Sequence, residues 1–274
     1  MADSGRGAES AKSTARQAAN SPWLERVARV GFAVNGLLHI LIGVIAMQLA
    51  IGGGSGESAD QTGALGQVAE QPFGRVVLWF GVLGFVGLAL WQLTEAAVTR
   101  AGDDDTKRRA ISGGKAVVYL ALTWTTLSFA RGGSSSSGET SSGFTATLME
   151  STPGRVLVGV LGLGVVGVGV YQVHKGATKK FMEDLKGTGG GNVGDAVVRL
   201  GMAGYIARGS ALALVGVLFV FAAVQQDPED ATGLDGALRT LREQPYGAAM
   251  LAVVAVGFVA FGIYSFARAR YAKL

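Results

Sequence analysis

Residues 70–80 read EQPFGRVVLWF, and the chain returns to the same phrase twice, as ESTPGRVLVGV at 150–160 and EQPYGAAMLAV at 243–253. In each, a Glu stands four residues before a Gly (Glu70 and Gly74, Glu150 and Gly154, Glu243 and Gly247), a Pro lies between them, and an apolar run follows. Pro and Gly punctuate local structure, so the phrase reads as a turn that opens a hydrophobic helix. Its recurrence makes it a mark of architecture rather than a solitary catalytic loop, and the Glu reads as the solvated or capping end of the turn. A functional role for the three carboxylates requires that they converge into a cation-attracting ring.

Aligned on Gly74, Gly154 and Gly247, the three copies agree beyond the phrase. Eleven residues earlier each has a further glycine (Gly63, Gly143, Gly236), and ten residues later another (Gly84, Gly164, Gly257). Seventeen residues later comes an aromatic: Trp91, Tyr171 or Tyr264. The segments upstream agree too. Arg26, Gly31, Phe32, Gly36 and Gly43 fall on Arg199, Gly204, Tyr205, Gly209 and Gly216, whereas the middle copy keeps Arg109 and Gly114 but has Tyr119 and Thr126 for the last two glycines. The chain is therefore three copies of one unit, with the middle copy diverged.

Each unit contains two long apolar blocks. The six blocks are Val30–Ala50, Val76–Val98, Ile111–Ala130, Val156–Val173, Leu200–Val224 and Ala248–Ala267. About 20 helical residues cross a ~30 Å hydrocarbon core, and these blocks have that length. The chain is 49% hydrophobic and only 16% charged, against about a quarter charged in soluble domains. The blocks do not alternate in polarity, which excludes a transmembrane β-barrel. The 43 glycines fit membrane helices, whose backbones approach closely through small residues. The expected fold is an all-α integral membrane protein with six transmembrane helices, arranged as three parallel two-helix repeats around a pseudo-threefold axis. Residues 1–22 read as a disordered cytosolic tail, followed by repeats at 23–100, 101–186 and 187–274. Gly36 with Gly43, and Gly209 with Gly216, each share one helix face and predict a close-packed seam.

Lys and Arg set the orientation. Eighteen lie on one side, in the two tails and the even-to-odd loops and, as Lys115, at the adjoining end of the third block; five lie in the other three loops, and Arg208 lies inside the fifth block. The acidic residues divide evenly, so the asymmetry has the form of the positive-inside rule. Both termini are expected in the cytoplasm, in a bacterial inner membrane whose anionic headgroups meet the basic inner face. The formal charge of +4 then needs no nucleic acid as partner. No apolar core marks a cleaved signal peptide, and the first block is expected to act as a signal anchor. On the outer side, short amphipathic helices are expected before each phrase, preceded in the first two units by linkers, GGGSGES at 52–58 and GGSSSSGETSSG at 132–143.

ALGQVAEQPFGR and ALRTLREQPYG, each ahead of a second span, resemble a bacterial family of six-span membrane proteins catalogued as a domain of unknown function repeated three times. The resemblance runs from about Trp23 to Arg268 and is weakest over the third span. It implies a fold and a location, and it carries no activity, ligand or site residue with it.

Ionisable groups within spans are functional candidates by default. Arg208 is the foremost, with Asn35 at the equivalent place in repeat 1, His39 one turn further on the same face, and Glu95 as an expected counter-ion. The alternative is that Arg208 snorkels or pairs with Glu95 to fix helix contacts, and that His39 is a structural hydrogen bonder. Two His on separate spans, with no Cys, make no metal site. Asp103–Asp105 reads as a solvated charge run. GLGVVG at 162–167 matches the dinucleotide fingerprint, but it lies inside a span without the required strand and reads as a contact surface. No cofactor and no enzymatic activity are expected. Two readings remain: an accessory or scaffold component of a membrane complex with a membrane-protein partner, or a small-solute or ion transporter with a path along the axis. The second has the three-hairpin plan of mitochondrial carriers, whose Pro-x-acidic-x-x-basic signature is absent.

Overall fold

The computed structural model describes residues 22–52, 58–98, 103–133 and 137–273. Apart from one isolated antiparallel bridge, Leu185 with Ala272, the regular structure of the described residues is helical. Six long helices carry the apolar blocks: α1 (Pro22–Ala50), α3 (Gly74–Val98), α4 (Asp103–Ala130), α6 (Thr152–Ala177), α7 (Gly191–Gln225) and α9 (Gly247–Tyr271). Three shorter ones precede the recurring phrases: α2 (Gln61–Glu70), α5 (Ser137–Met149) and α8 (Gly233–Glu243). The expected tail and most of the 52–58 linker lie outside the described residues, as do the side chains of Asp103–Asp105.

Five of the long helices have the length and apolarity to cross a membrane: α1, α3, α6, α7 and α9. The third expected span, α4, forms a 28-residue helix but is less apolar. It contains Lys115 and a run of hydroxyl side chains. Those hydroxyls are not left open: Thr123, Thr125, Thr126 and Ser128 each donate to the carbonyl one turn earlier, at 2.7–3.1 Å. Such back-bonding lowers the cost of placing a hydroxyl in an apolar medium.

The recurring phrase is a turn between a short and a long helix. Gln71 and Gln244 donate from N–H to Val68 and Leu241, both at 3.2 Å. Gly74 and Gly247 donate to Gln71 and Gln244, at 2.8 and 2.7 Å. Phe73 and Tyr246 turn the chain in the left-handed region, at φ 65° and 62°. The middle copy reaches the same descent through a cap: Ser151 Oγ accepts from Gly154 N–H at 3.2 Å, with Pro153 in the first turn.

The Ser-rich run at 132–143 was expected as a linker, yet α5 begins within it at Ser137. The helix is anchored at its other end, where Thr145 and Met149 are buried. Propagation back from an anchored turn costs far less than starting a new one.

Around the bundle the long helices follow one another as α4, α3, α1, α9, α7, α6. The most extensive contacts are α6 with α7, α9 with α1, and α3 with α4. Each joins the second span of one unit to the first span of another. The seam glycines make these approaches. A Cβ at Gly36 or Gly43 would lie 2.8 or 2.7 Å from the Gly262 or Ala255 carbonyl on α9. At Gly209 or Gly216 it would lie 2.7 Å from the Gly169 or Gly162 carbonyl on α6. On α4 the corresponding residues are Tyr119 and Thr126, and Gly81 of α3 makes room for the Thr126 methyl. Within units, α1 packs on α3 and α7 on α9, while no comparable contact joins α4 to α6.

Outward surfaces of the long helices are apolar. Trp79, Phe80, Leu83, Trp124, Val160, Leu163, Val253 and Val256 are all exposed. A continuous apolar girdle of this extent is what a hydrocarbon environment accommodates and water does not.

Candidate functional site

His39 and Arg208 meet through one ring, that of Phe261. Phe261 projects from α9, and α7 approaches it closely because position 204 is Gly; a Cβ there would lie 2.5 Å from the Phe261 Cα. The Arg208 guanidinium lies 4.8 Å from the Phe261 ring centre, and the His39 ring 4.7 Å from it. Phe258 covers His39 further, at 6.0 Å. His39 is 2% exposed, and its Nδ1–H donates to the Asn35 carbonyl at 2.8 Å. Because a carbonyl can only accept, the bond puts a proton on Nδ1. It uses the backbone of Asn35 and not its amide. Packed between two phenyl rings, His39 is set up as a structural hydrogen bonder and lines no open path.

Glu95 is not among the groups that act on Arg208. The electrostatic neighbours of that guanidinium are Tyr205, Tyr119 and Arg268. Glu95 is exposed near the C-terminal end of α3 and acts instead on Lys115 of α4. The expected Arg208–Glu95 pairing is thus replaced by cation–π stacking on Phe261.

Below this level lies a second group of charges. Lys175 Nζ donates to Asp184 Oδ2 at 2.6 Å, and Arg268 Nη2 stands 4.0 Å from the same oxygen. The Arg268 guanidinium stacks 4.5 Å over the Phe32 ring. Lys115 senses Arg268, Glu95, Asp184 and Lys175 together. Glu95, Lys175 and Arg268 occupy one position of the repeat, 21 residues after Gly74, Gly154 and Gly247. Three residues earlier come Gln92, Gln172 and Ser265. The side-chain oxygens of both glutamines are buried without a hydrogen-bond partner among the described residues.

Asp184 reaches this cluster on a 3-10 turn, Lys180–Asp184, between α6 and α7. The turn is held by its neighbour Phe181, which is fully buried against Tyr205 and Tyr264, both at 5.3 Å. Lys186 N–H donates to the Tyr271 carbonyl and Lys273 N–H to that of Asp184. The α6–α7 connection is thereby strapped across the C-terminal end of α9.

Of the sequence-derived candidates, Asn35, His39 and Arg208 come together and Glu95 stands apart. Lys175, Arg268, Lys115 and Asp184 were not singled out, because read along the chain they look like ordinary inner-loop charges. The signal was the shared repeat position of Glu95, Lys175 and Arg268. Glu70, Glu150 and Glu243 are all exposed at the ends of α2, α5 and α8. Helix α5 touches α8, while α2 packs against α1, α3 and α4. Glu243 lines an open surface pocket with Leu49, Arg239, Arg242 and Ala248. Among the described residues no cluster of His, Asp and Glu is able to hold a metal ion.

Comparison with known proteins agrees with the internal repeat. The family model described as Domain of Unknown Function (DUF1206) matches three times, over residues 30–99, 112–179 and 203–272. The uncharacterized protein YxxB of Bacillus subtilis (strain 168) is 29% identical over 255 residues, covering 91% of this chain and 92% of the relative. No solved structure matches. With three matches spread over most of its length, the chain belongs to the DUF1206 family.

Proposed function

We propose that the protein is a six-span, non-enzymatic accessory or scaffold protein of the bacterial cytoplasmic membrane, with both termini inside, that docks a transmembrane helix of a partner protein between α4 and α6. The three units are parallel repeats about a pseudo-threefold axis. In support, the second span of each unit packs on the first span of another, and Glu95, Lys175 and Arg268 gather around Lys115. The back-bonded hydroxyls of α4 support its counting as the sixth span. The basic inner face meets anionic headgroups, and no nucleic acid is involved.

One observation carries the docking role. Units 1 and 3 close their own hairpins with small residues: a Cβ at Gly84 would lie 2.6 Å from Gly31 N, and Gly257 faces Ala207. The corresponding residues of unit 2, Gly114 and Gly164, are retained, yet neither has any atom within 4 Å of such a Cβ. Gly113 and Gly167 beside them are equally uncovered. Both helices of unit 2 thus expose the type of surface by which membrane helices associate. The partner that fits is one apolar helix presenting small residues of its own.

The test is photocrosslinking in intact membranes from a photoreactive residue at position 164 or 114, with position 253 on the lipid side of α9 as reference. A discrete protein adduct from 164 and 114, absent from 253, is expected. An adduct of twice the chain mass would make the partner a second copy. Lipid adducts alone, equal at all three positions, would overturn the reading.

A further inference from the structure

We propose that the inner half of the bundle binds a phosphate-bearing anion, held between the guanidinium groups of Arg208 and Arg268. The site is independent of partner docking at α4 and α6.

Among the described residues the basic groups here outnumber the acidic ones. Arg208, Arg268, Lys115 and Lys175 lie within electrostatic reach of one another through shared neighbours, and the described acids that act on them are Asp184 and Glu95. Asp184 is engaged by Lys175 at 2.6 Å, which leaves Arg268 at 4.0 Å, beyond hydrogen-bonding distance. Glu95 acts on Lys115. Arg208 makes no hydrogen bond and no ion pair with any described residue, and Arg268 Nε is buried without a partner. An unpaired guanidinium at Arg208 and a buried, unpartnered Nε–H at Arg268 are costly in a membrane-embedded bundle, and a bound anion removes that cost.

The geometry suits an oxyanion. Arg208 stacks on Phe261 and Arg268 on Phe32, so each guanidinium has one face covered by a ring, and the Arg268 Nε–H has no hydrogen-bond partner among the described residues. Edge-on N–H groups on two arginines form the fork geometry that phosphate oxygens accept, often two bonds per guanidinium. Tyr119 and Tyr205 are electrostatic neighbours of both arginines, and their hydroxyls supply further donors. Arg208 and Tyr119 are only partly buried, so a ligand has a surface to reach.

The phosphate can belong to a lipid headgroup or be free in solution, and two arms separate these sources. The full-length protein is stripped of lipid in detergent. One arm adds inorganic phosphate against chloride at matched ionic strength; the other adds phosphatidylglycerol against phosphatidylcholine and uses native mass spectrometry. Specific binding is expected in at least one arm, and it should weaken at least tenfold in Arg208→Gln and in Arg268→Gln. Arg270→Gln, on the exposed end of α9, should bind as the wild type does. Response to phosphate identifies a soluble ligand and response to phosphatidylglycerol alone a lipid. If Arg208→Gln does not fold, Arg208→Lys keeps the charge without the fork and should weaken binding, as should Tyr119→Phe. Absence of anion-specific binding in both arms, or equal binding by wild type and folded variants, overturns the proposal.

Discussion

The carbonyl oxygen of Val68 occupies the space that a Cβ at position 74 would need. The same six-residue relation holds between Leu148 and Gly154, and between Leu241 and Gly247. In each unit the last turn of the short helix folds onto the first turn of the span it precedes. Only a residue without a side chain tolerates that approach, which explains why the recurring phrase ends in glycine.

Replacing Gly74 or Gly247 by Ala should therefore destabilise the protein by about 1–3 kcal/mol, the usual cost of overpacking against a backbone that has nowhere to go. Thermal unfolding in detergent, followed by loss of the monodisperse size-exclusion peak, measures it. Glu70→Gln, at the exposed start of the same turn, should be within about 0.5 kcal/mol of wild type. A Gly74→Ala protein as stable as wild type would mean that the turn is not built as described.

The seam glycines and the uncovered glycines should respond in opposite ways. Gly209→Val and Gly36→Val force apart helices whose backbones nearly touch, and each should cost about 1–3 kcal/mol or prevent folding. Gly164→Ala and Gly114→Ala add a methyl group where no atom lies within 4 Å, and should leave the isolated protein unchanged within about 0.5 kcal/mol. The same melting assay separates the two classes, and equal losses at 164 and 209 would contradict the open hairpin of unit 2.

The chain has no cysteine, so single cysteines report sidedness without further changes. Glu229→Cys, in the exposed loop between α7 and α8, should react with a membrane-impermeant maleimide in intact cells. Glu183→Cys, in the exposed turn between α6 and α7, should react only after lysis. The reverse pattern would invert the proposed orientation.

Much of the fold was readable along the chain because its signals are local. The apolar blocks became long helices, since continuous apolarity over about 20 residues leaves the backbone no other way to satisfy its hydrogen bonds in hydrocarbon. The glycine spacing of 36 with 43, and of 209 with 216, located the seam. The Ser-rich run at 137–143 misled because its composition is that of a linker, while the anchoring at Thr145 and Met149 that makes it helical is tertiary. Of the polar candidates, Arg208 and His39 were legible because a charge or an imidazole stands out inside an apolar block. Arg268 and Lys175 were not, because at a span end they cannot be told from topological charges.

The sequence by itself determined that three equivalent two-helix units exist, where each turns, and which helix faces are small enough to allow close approach. Those properties depend on periodicity and residue size over short separations. Only the tertiary structure decided which helix each glycine face meets, because small faces are mutually compatible and do not name their partners. It also decided that units 1 and 3 close their hairpins while unit 2 does not, and that Arg208 rests on Phe261 and not against Glu95. A cation in a low-dielectric interior takes whatever stabilising surface the fold brings within a few ångströms, and here that surface is an aromatic ring.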